Sequence, residues 1–230
     1  MATWLLIHSP LVDAATWAPV AARLRKRGHE AVIPDLSPAL SDGGSHVSRQ
    51  AELAAAAVGH GPVYLVAHSA AGPLLPLIAH QLGMQDIAVL ASVFVDAALP
   101  HPGQSALDVL PAAAVQHLHD MTVEGWLPPW TSWWSPEQLG AMLPDEQLRN
   151  ALIEACPPLP ESLFTEVLPN VGEHELGTCC YIRLSSNYEP FAAAAGKAGW
   201  PVRHLTGHHL AILTTPGAVA DVLHHIVGTA

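Results

Sequence analysis

Basic residues are scarce: nine lysines and arginines stand against twenty acidic residues, a formal charge of −11. Nucleic-acid binding needs a basic face that displaces phosphate counterions, so that class of partner is excluded. The cations that do cluster, Arg23, Arg25, Lys26 and Arg27, fall at the end of one expected helix, where they suit the negative end of its dipole. Cysteine is scarcer still. Cys156, Cys179 and Cys180 are odd in number and two of them are adjacent, which argues against a disulfide framework and for a reducing compartment. No apolar run approaches the ~20 residues that span a bilayer, so no membrane partner is expected. The first apolar run, residues 3–7, has no basic segment and no small-residue cleavage site, so no signal peptide is read and a cytoplasmic location is expected. The fifteen histidines fall in no HExxH and no Cys/His ligand spacing, so no metal is expected. Internal repeats are missing too.

What the chain does have is material for a core. Half of its 230 residues are apolar and 13% are charged, which suits one domain spanning residues 1–230. Short β-branched or apolar runs alternate with helical ones. Strands are expected at Thr3–Ile7, Ala31–Pro34, Val63–Val66, within Ile87–Val95, at Cys180–Leu184 and at Val202–Leu205. Helices are expected at Ala15–Arg27, at Ser45–Val58 after the loop Ser41–Gly44, and at Ala71–Leu82, Tyr188–Ala198 and Pro216–Val227. Apolar strands separated by helices indicate an α/β fold with a doubly wound, mostly parallel sheet. The alternation breaks between about residues 100 and 172, a proline-rich stretch holding Trp126, Trp130, Trp133 and Trp134. Two helical pieces, Ala106–His119 and Pro136–Cys156, show within it, and it reads as an inserted helical cap.

The most informative stretch is Tyr64-Leu65-Val66-Ala67-His68-Ser69-Ala70-Ala71-Gly72. An apolar strand runs straight into a serine with alanine two residues either side, and a helix follows at once. A serine on such a tight turn has strained backbone angles, and bulky neighbours at minus two or plus two would collide with adjacent elements. The turn lifts the hydroxyl clear of the sheet and sets the Ala70 N–H where it can face a developing oxyanion. The usual pattern has glycine at both flanking positions; here both are alanine. Read alone, the turn also fits a serine that merely caps a helix. Near the C-terminus, Gly207-His208-His209-Leu210-Ala211-Ile212 follows the last strand. A histidine there can reach the turn as general base, and His209 is better placed than His208 because Leu210 and Ile212 can anchor the loop behind it.

With these segments in view, the sequence resembles the α/β-hydrolase superfamily, and within it the small esterase and hydroxynitrile-lyase branch that includes plant salicylate-binding methylesterases. The likeness runs over nearly the whole chain. It rests on Leu6-Ile7-His8-Ser9-Pro10 leading to Trp17, on Ala67–Gly72, on Val95-Asp96-Ala97-Ala98-Leu99-Pro100, and on His209–Leu213. The resemblance implies a Ser-His-acid triad and a helical cap inserted after the strand that follows the serine turn. Its usual acid position falls near Asn187, which cannot carry the charge. Asp96, at the end of the earlier strand, is the preferred substitute, and Glu189 the alternative; Asp96 also fits a loop-bracing role. The family's second oxyanion donor is a backbone N–H after a His-Gly pair, but here Ser9 and Pro10 stand there and proline has no N–H. The Ser9 hydroxyl, or Leu11 if it moves into range, would have to compensate. The lyase branch also carries a hydroxyl residue there, but its lysine beside the histidine is Leu210 here, which disfavours a cyanohydrin lyase.

The reading is therefore a serine hydrolase acting on a small, apolar or aromatic ester or thioester, needing no cofactor, with a homodimer as a possible assembly. Two alternatives stay open: a non-hydrolytic lyase or cyclase using Ser69 and His209 as an acid/base pair, and a small-molecule binder with a relic triad. The cap tryptophans are equally candidates for lining the pocket and for packing.

Overall fold

Each short apolar run outside the insert becomes a strand of one sheet. The structure, a computed structural model, describes residues 2–41, 44–172 and 175–228; Asp42 and Gly43 of the expected loop lie outside them. In chain order come β1 (Thr3–Ile7), α1 (Ala18–Lys26), β2 (Glu30–Val32), α2 (His46–Ala56), β3 (Val63–His68), α3 (Leu75–Gly83) and β4 (Val89–Val95). An insert follows, with α4 (Ala106–Val109), α5 (Ala112–Met121), β5 (Trp126–Leu127), α6 (Pro136–Met142), α7 (Glu146–Ala155), β6 (Leu159–Pro160) and α8 (Ser162–Thr165). The chain then adds β7 (Thr178–Arg183), α9 (Glu189–Lys197), β8 (Val202–His204), α10 (Ala211–Thr214) and α11 (Pro216–Gly228).

The sheet runs β2–β1–β3–β4–β7–β8 and every pairing in it is parallel. Side chains alternate between its faces, as the two-residue period of a strand requires. Trp4 and Leu6 of β1 enter one core with Trp17, Leu24 and Leu223, on the side of α1 and α11. Leu5 and Ile7 enter the other, with Ala51 of α2 and Ile78 of α3. Both faces are covered, so the strands carry no polar alternation. Pairing of Ala67 with Phe94, and of His68 with Val95, puts the ends of β3 and β4 level at one edge. Val95 in turn pairs with Ile182 near the end of β7. That C-terminal edge is where open α/β sheets form their crevice.

The insert departs from the two long helices expected there. Leu110, before Pro111, and Leu143, before Pro144, each leave the helical region and split a piece in two. Proline's ring disfavours helical angles in the residue before it and removes a donor from the helix. Between the helices, β5 and β6 pair as an antiparallel ribbon, Trp126 with Pro160 and Leu127 with Leu159. Leu118, Leu127, Leu159 and Phe164 make a small core with Leu40. The insert is also pinned to α2: Glu166 accepts from the His46 amide at 2.9 Å and from the Ser45 hydroxyl, at the positive end of that helix.

Candidate active site

The serine turn begins one step beyond β3. Ser69 has φ +60°, left-handed for a residue with a side chain, and the chain passes from extended strand to a 3-10 turn, Ser69–Leu74, before α3. The helix therefore starts later than Ala71, at Leu75, with Pro73 inside the 3-10 turn. Ala67 and Ala71 are wholly buried. The tightest requirement sits at Gly72, where a Cβ would lie 2.0 Å from the Ala98 carbonyl oxygen. The Ala98 N–H also donates to the Ser69 carbonyl at 3.1 Å, so the turn is clamped against the segment leaving β4.

That same segment carries Asp96, which is 0% exposed and has φ +43°. Because β4 neighbours β7, its carboxylate reaches the loop after β7. Asp96 Oδ1 accepts from the amides of Leu184 at 2.7 Å and Ser185 at 3.0 Å; Oδ2 accepts from the Ser185 hydroxyl at 2.6 Å and faces His209 Nδ1 at 2.8 Å. Burial alone would raise its pKa, but the hydrogen bonds from His209 and Ser185 and the charge of the imidazole outweigh it and hold the carboxyl below its ordinary 3.8. An ionised carboxylate only accepts, so His209 carries its proton on Nδ1 and presents a bare Nε2. That atom lies 2.9 Å from Ser69 Oγ. Glu189 is elsewhere: it pairs with Arg183 at 2.6 Å, half-exposed at the start of α9. His208 turns away, its Nε2 3.1 Å from the Thr214 hydroxyl, and burial lowers its pKa.

Above Ser69 lies a narrow cleft lined by Ser9, Leu11, Val12, Trp130 and Ile212, with about 10 Å³ of free volume, room for one water molecule. The Ser9 hydroxyl oxygen accepts from the Leu11 amide at 3.2 Å. Leu11 N–H is thus committed within its own loop, and Ser9 O–H is left to donate. His8 braces that loop: Nδ1–H donates to the Ser9 carbonyl at 2.8 Å and Nε2 accepts from the Leu36 amide at 3.1 Å. The Ala70 amide is among the first N–H groups of a helical turn, which have no partner within it. Of the tryptophans in the insert, Trp130 faces the cleft, its ring 6.4 Å from that of His209. Trp133 packs on Phe164, Trp134 edges onto Trp130, and Trp126 is exposed. A larger cavity of about 200 Å³, lined by Pro73, Pro76, Leu77, Pro100 and Leu168, holds none of these groups. Location beside the serine, and not size, marks the candidate site.

Two residues at the site escape the reading of the sequence. His68 stacks on His209 with ring centres 4.4 Å apart and sends Nε2–H to the His209 carbonyl at 2.9 Å. Burial, and then the neighbouring imidazole, push its pKa down to about 3, so it stays neutral. Tyr188 stacks on His209 with centres 4.8 Å apart and rings 3° from parallel, and its hydroxyl lies 3.3 Å from Ser69 Oγ. The available signal was its place one residue after the vacant acid position at Asn187. The expected helix Tyr188–Ala198 masked it, since the residue instead ends a 3-10 turn, Ser186–Tyr188.

Solved structures align along the whole chain. An extracellular α/β-hydrolase from a Paenibacillus species, described as sharing structural and functional homology with tobacco salicylic acid binding protein 2, superposes with a TM-score of 0.77 at 18% identity. That alignment covers 98% of this chain and 99% of the other. Tomato methylketone synthase I, a variant complexed with β-ketoheptanoate, gives 0.75 at 16% identity over 99% and 98%. The chain has the α/β-hydrolase fold. A pyrethroid hydrolase from Sphingobium faniae shares the fold too, with a TM-score of 0.71 and 20% identity over 99% and 97%. No protein-family model and no curated protein sequence matches the chain. Within that fold, Ser69 stands on the strand-to-helix turn at the end of β3. Among the described residues no helix is long and apolar enough to cross a membrane, and none of the His, Cys, Asp and Glu groups could hold a metal ion.

Proposed function

We propose that the protein is a serine hydrolase of small carboxylic esters or thioesters. The observation that carries this reading is the unbroken chain from Asp96 Oδ2 through both nitrogens of His209 to Ser69 Oγ, with links of 2.8 and 2.9 Å. Ser69 Oγ attacks the substrate carbonyl while its proton passes to His209 Nε2, and Asp96 stabilises the imidazolium that forms. The tetrahedral oxyanion accepts from Ala70 N–H and Ser9 O–H. Collapse expels the alcohol or thiol, which takes the proton from His209, and leaves the acyl group on Ser69. Water, deprotonated by His209, then releases the acid. Two buried thiols, Cys156 and Cys180, are each raised to about 11 by burial and stay protonated, outside the chemistry of the site.

Turnover of p-nitrophenyl acetate or butyrate by the wild type and its abolition in Ser69→Ala test the reading; equal rates would remove Ser69 from its role. A second reading has Pro10 in its favour: with no N–H at that position, the hole relies on a hydroxyl, and Ser69 and His209 could serve lyase or cyclase chemistry as an acid/base pair. His209-dependent activity on a non-ester, with inertness toward fluorophosphonates, would select it.

A further inference from the structure

His209 is held between two rings. His68 covers one face and Tyr188 the other, and Tyr188 also reaches past the imidazole to Ser69. The direction of that last bond follows from its neighbours. Asp96 fixes the proton of His209 on Nδ1, so Nε2 can only accept, and the Ser69 proton points to it. Ser69 Oγ then has lone pairs alone to offer Tyr188, and the Tyr188 hydroxyl must be the donor. We propose that Tyr188 is a catalytic residue, a permanent hydrogen-bond donor to Ser69 Oγ that strengthens as that oxygen gains negative charge. The proposal rests on the hydrolase reading above.

The charge on Ser69 Oγ changes twice in the cycle. It rises as the proton leaves for His209 during attack, and again when Oγ departs as the leaving group in deacylation. A hydrogen bond to a charged acceptor is roughly twice as strong as one between neutral groups, so the contact stabilises both transition states more than the resting state. The proton of Tyr188 does not transfer. Burial pushes its pKa up to about 12, and the hydroxyl remains a donor throughout. A hydrogen bond of 3.3 Å in the resting enzyme is long, with room to shorten as charge develops. The stacked ring has a separate, positioning effect: it keeps the imidazole plane from turning away from the Asp96–Ser69 line.

Removing the hydroxyl while keeping the ring separates the two. In Tyr188→Phe, kcat for p-nitrophenyl butyrate is expected to fall about 10-fold with KM unchanged, and the rate constant for inactivation by a fluorophosphonate to fall by a similar factor. Site-specific 3-fluoro- and 3,5-difluorotyrosine keep the shape and make the phenol a stronger donor, so both rates should recover fully and rise with acidity. This arm decides the matter if Tyr188→Phe does not fold. Tyr188→Phe within twofold of wild type, or rates flat across the fluorinated series, overturns the proposal while Ser69→Ala remains inactive. If Ser69→Ala is as active as wild type, the hydrolase reading fails and the proposal with it.

Discussion

Replacing Asp96 by asparagine should leave the fold almost untouched and nearly abolish turnover. Its Oδ1 accepts from two backbone amides, Leu184 and Ser185, so the amide oxygen of asparagine must take that side. The amide nitrogen then faces Ser185 Oγ and His209 Nδ1. Both can accept in place of donating, so these two contacts survive with their direction reversed, and the two backbone bonds to the oxygen are kept. Stability should change by no more than about 1 kcal/mol, the net worth of one ordinary hydrogen bond. The reversed bond, however, leaves His209 with its proton on Nε2, facing Ser69, and a proton-bearing nitrogen cannot take another. An equivalent tautomer error in the serine-protease triad lowers kcat by about 10⁴, or roughly 5.5 kcal/mol of barrier, and a similar loss is expected. The assay is kcat on p-nitrophenyl acetate for Asp96→Asn beside Glu189→Gln, with urea unfolding of each. Glu189→Gln should behave as wild type, because its half-exposed carboxylate meets the partly buried Arg183 and not the imidazole. Retention of more than about a tenth of kcat in Asp96→Asn, or a comparable loss in Glu189→Gln, would refute the reasoning.

Three further outcomes are expected. Ser9→Ala removes a hydroxyl that lines the cleft beside Ser69 and should lower kcat by about 10²–10³ with little change in KM; a rate within fivefold of wild type would show that Ser9 does not contact the oxyanion. Gly72→Ala drives a methyl group onto the Ala98 carbonyl, 2.0 Å away, and should destabilise by about 3 kcal/mol, a melting temperature lower by roughly 6–12 °C; an unchanged thermal transition would contradict that contact. His68, lowered by burial to about 3 from an ordinary 6.5, binds its proton more readily in the unfolded chain. Stability is therefore full well above 6.5 and falls as pH drops toward 3, by about 2 kcal/mol between pH 7.5 and 5, while the contribution of Asp96 is lost only below its ordinary 3.8. Urea unfolding of the wild type and His68→Gln at pH 7.5 and 5 reads this as a difference, since burial also lowers His8 and His208, and an equal pH dependence in the two would mean that His68 is not buried neutral.

The layered architecture was legible in the sequence because strands buried on both faces must read as apolar runs, and such runs separated by helices leave few topologies. Boundaries drifted where a local steric rule intervened: Pro111 and Pro144 divided the helices of the insert. The ribbon of β5 and β6 escaped notice because two-residue strands, one ending in proline, have no period to detect. Ser69 and His209 stood out by their places after strands. The identity of the acid did not, since both Asp96 and Glu189 follow strands, and only the adjacency of β4 and β7 brings Asp96 to the imidazole. The same adjacency explains why Asn187 can be tolerated: Ser185 and the backbone beside it receive a carboxylate from the neighbouring strand. Tyr188 went unread because a tyrosine at the head of a helical run has no chemical signature until its ring is seen against a histidine.

Whether Ser69 becomes a nucleophile through His209 can be asked with a covalent trap, without knowledge of the substrate. Intact-mass and peptide spectrometry after treatment with a fluorophosphonate should show one adduct per chain, on Ser69, formed far more slowly in His209→Ala. A wild-type protein that stays unlabelled, an adduct on another residue, or labelling at full speed without His209 would contradict that role.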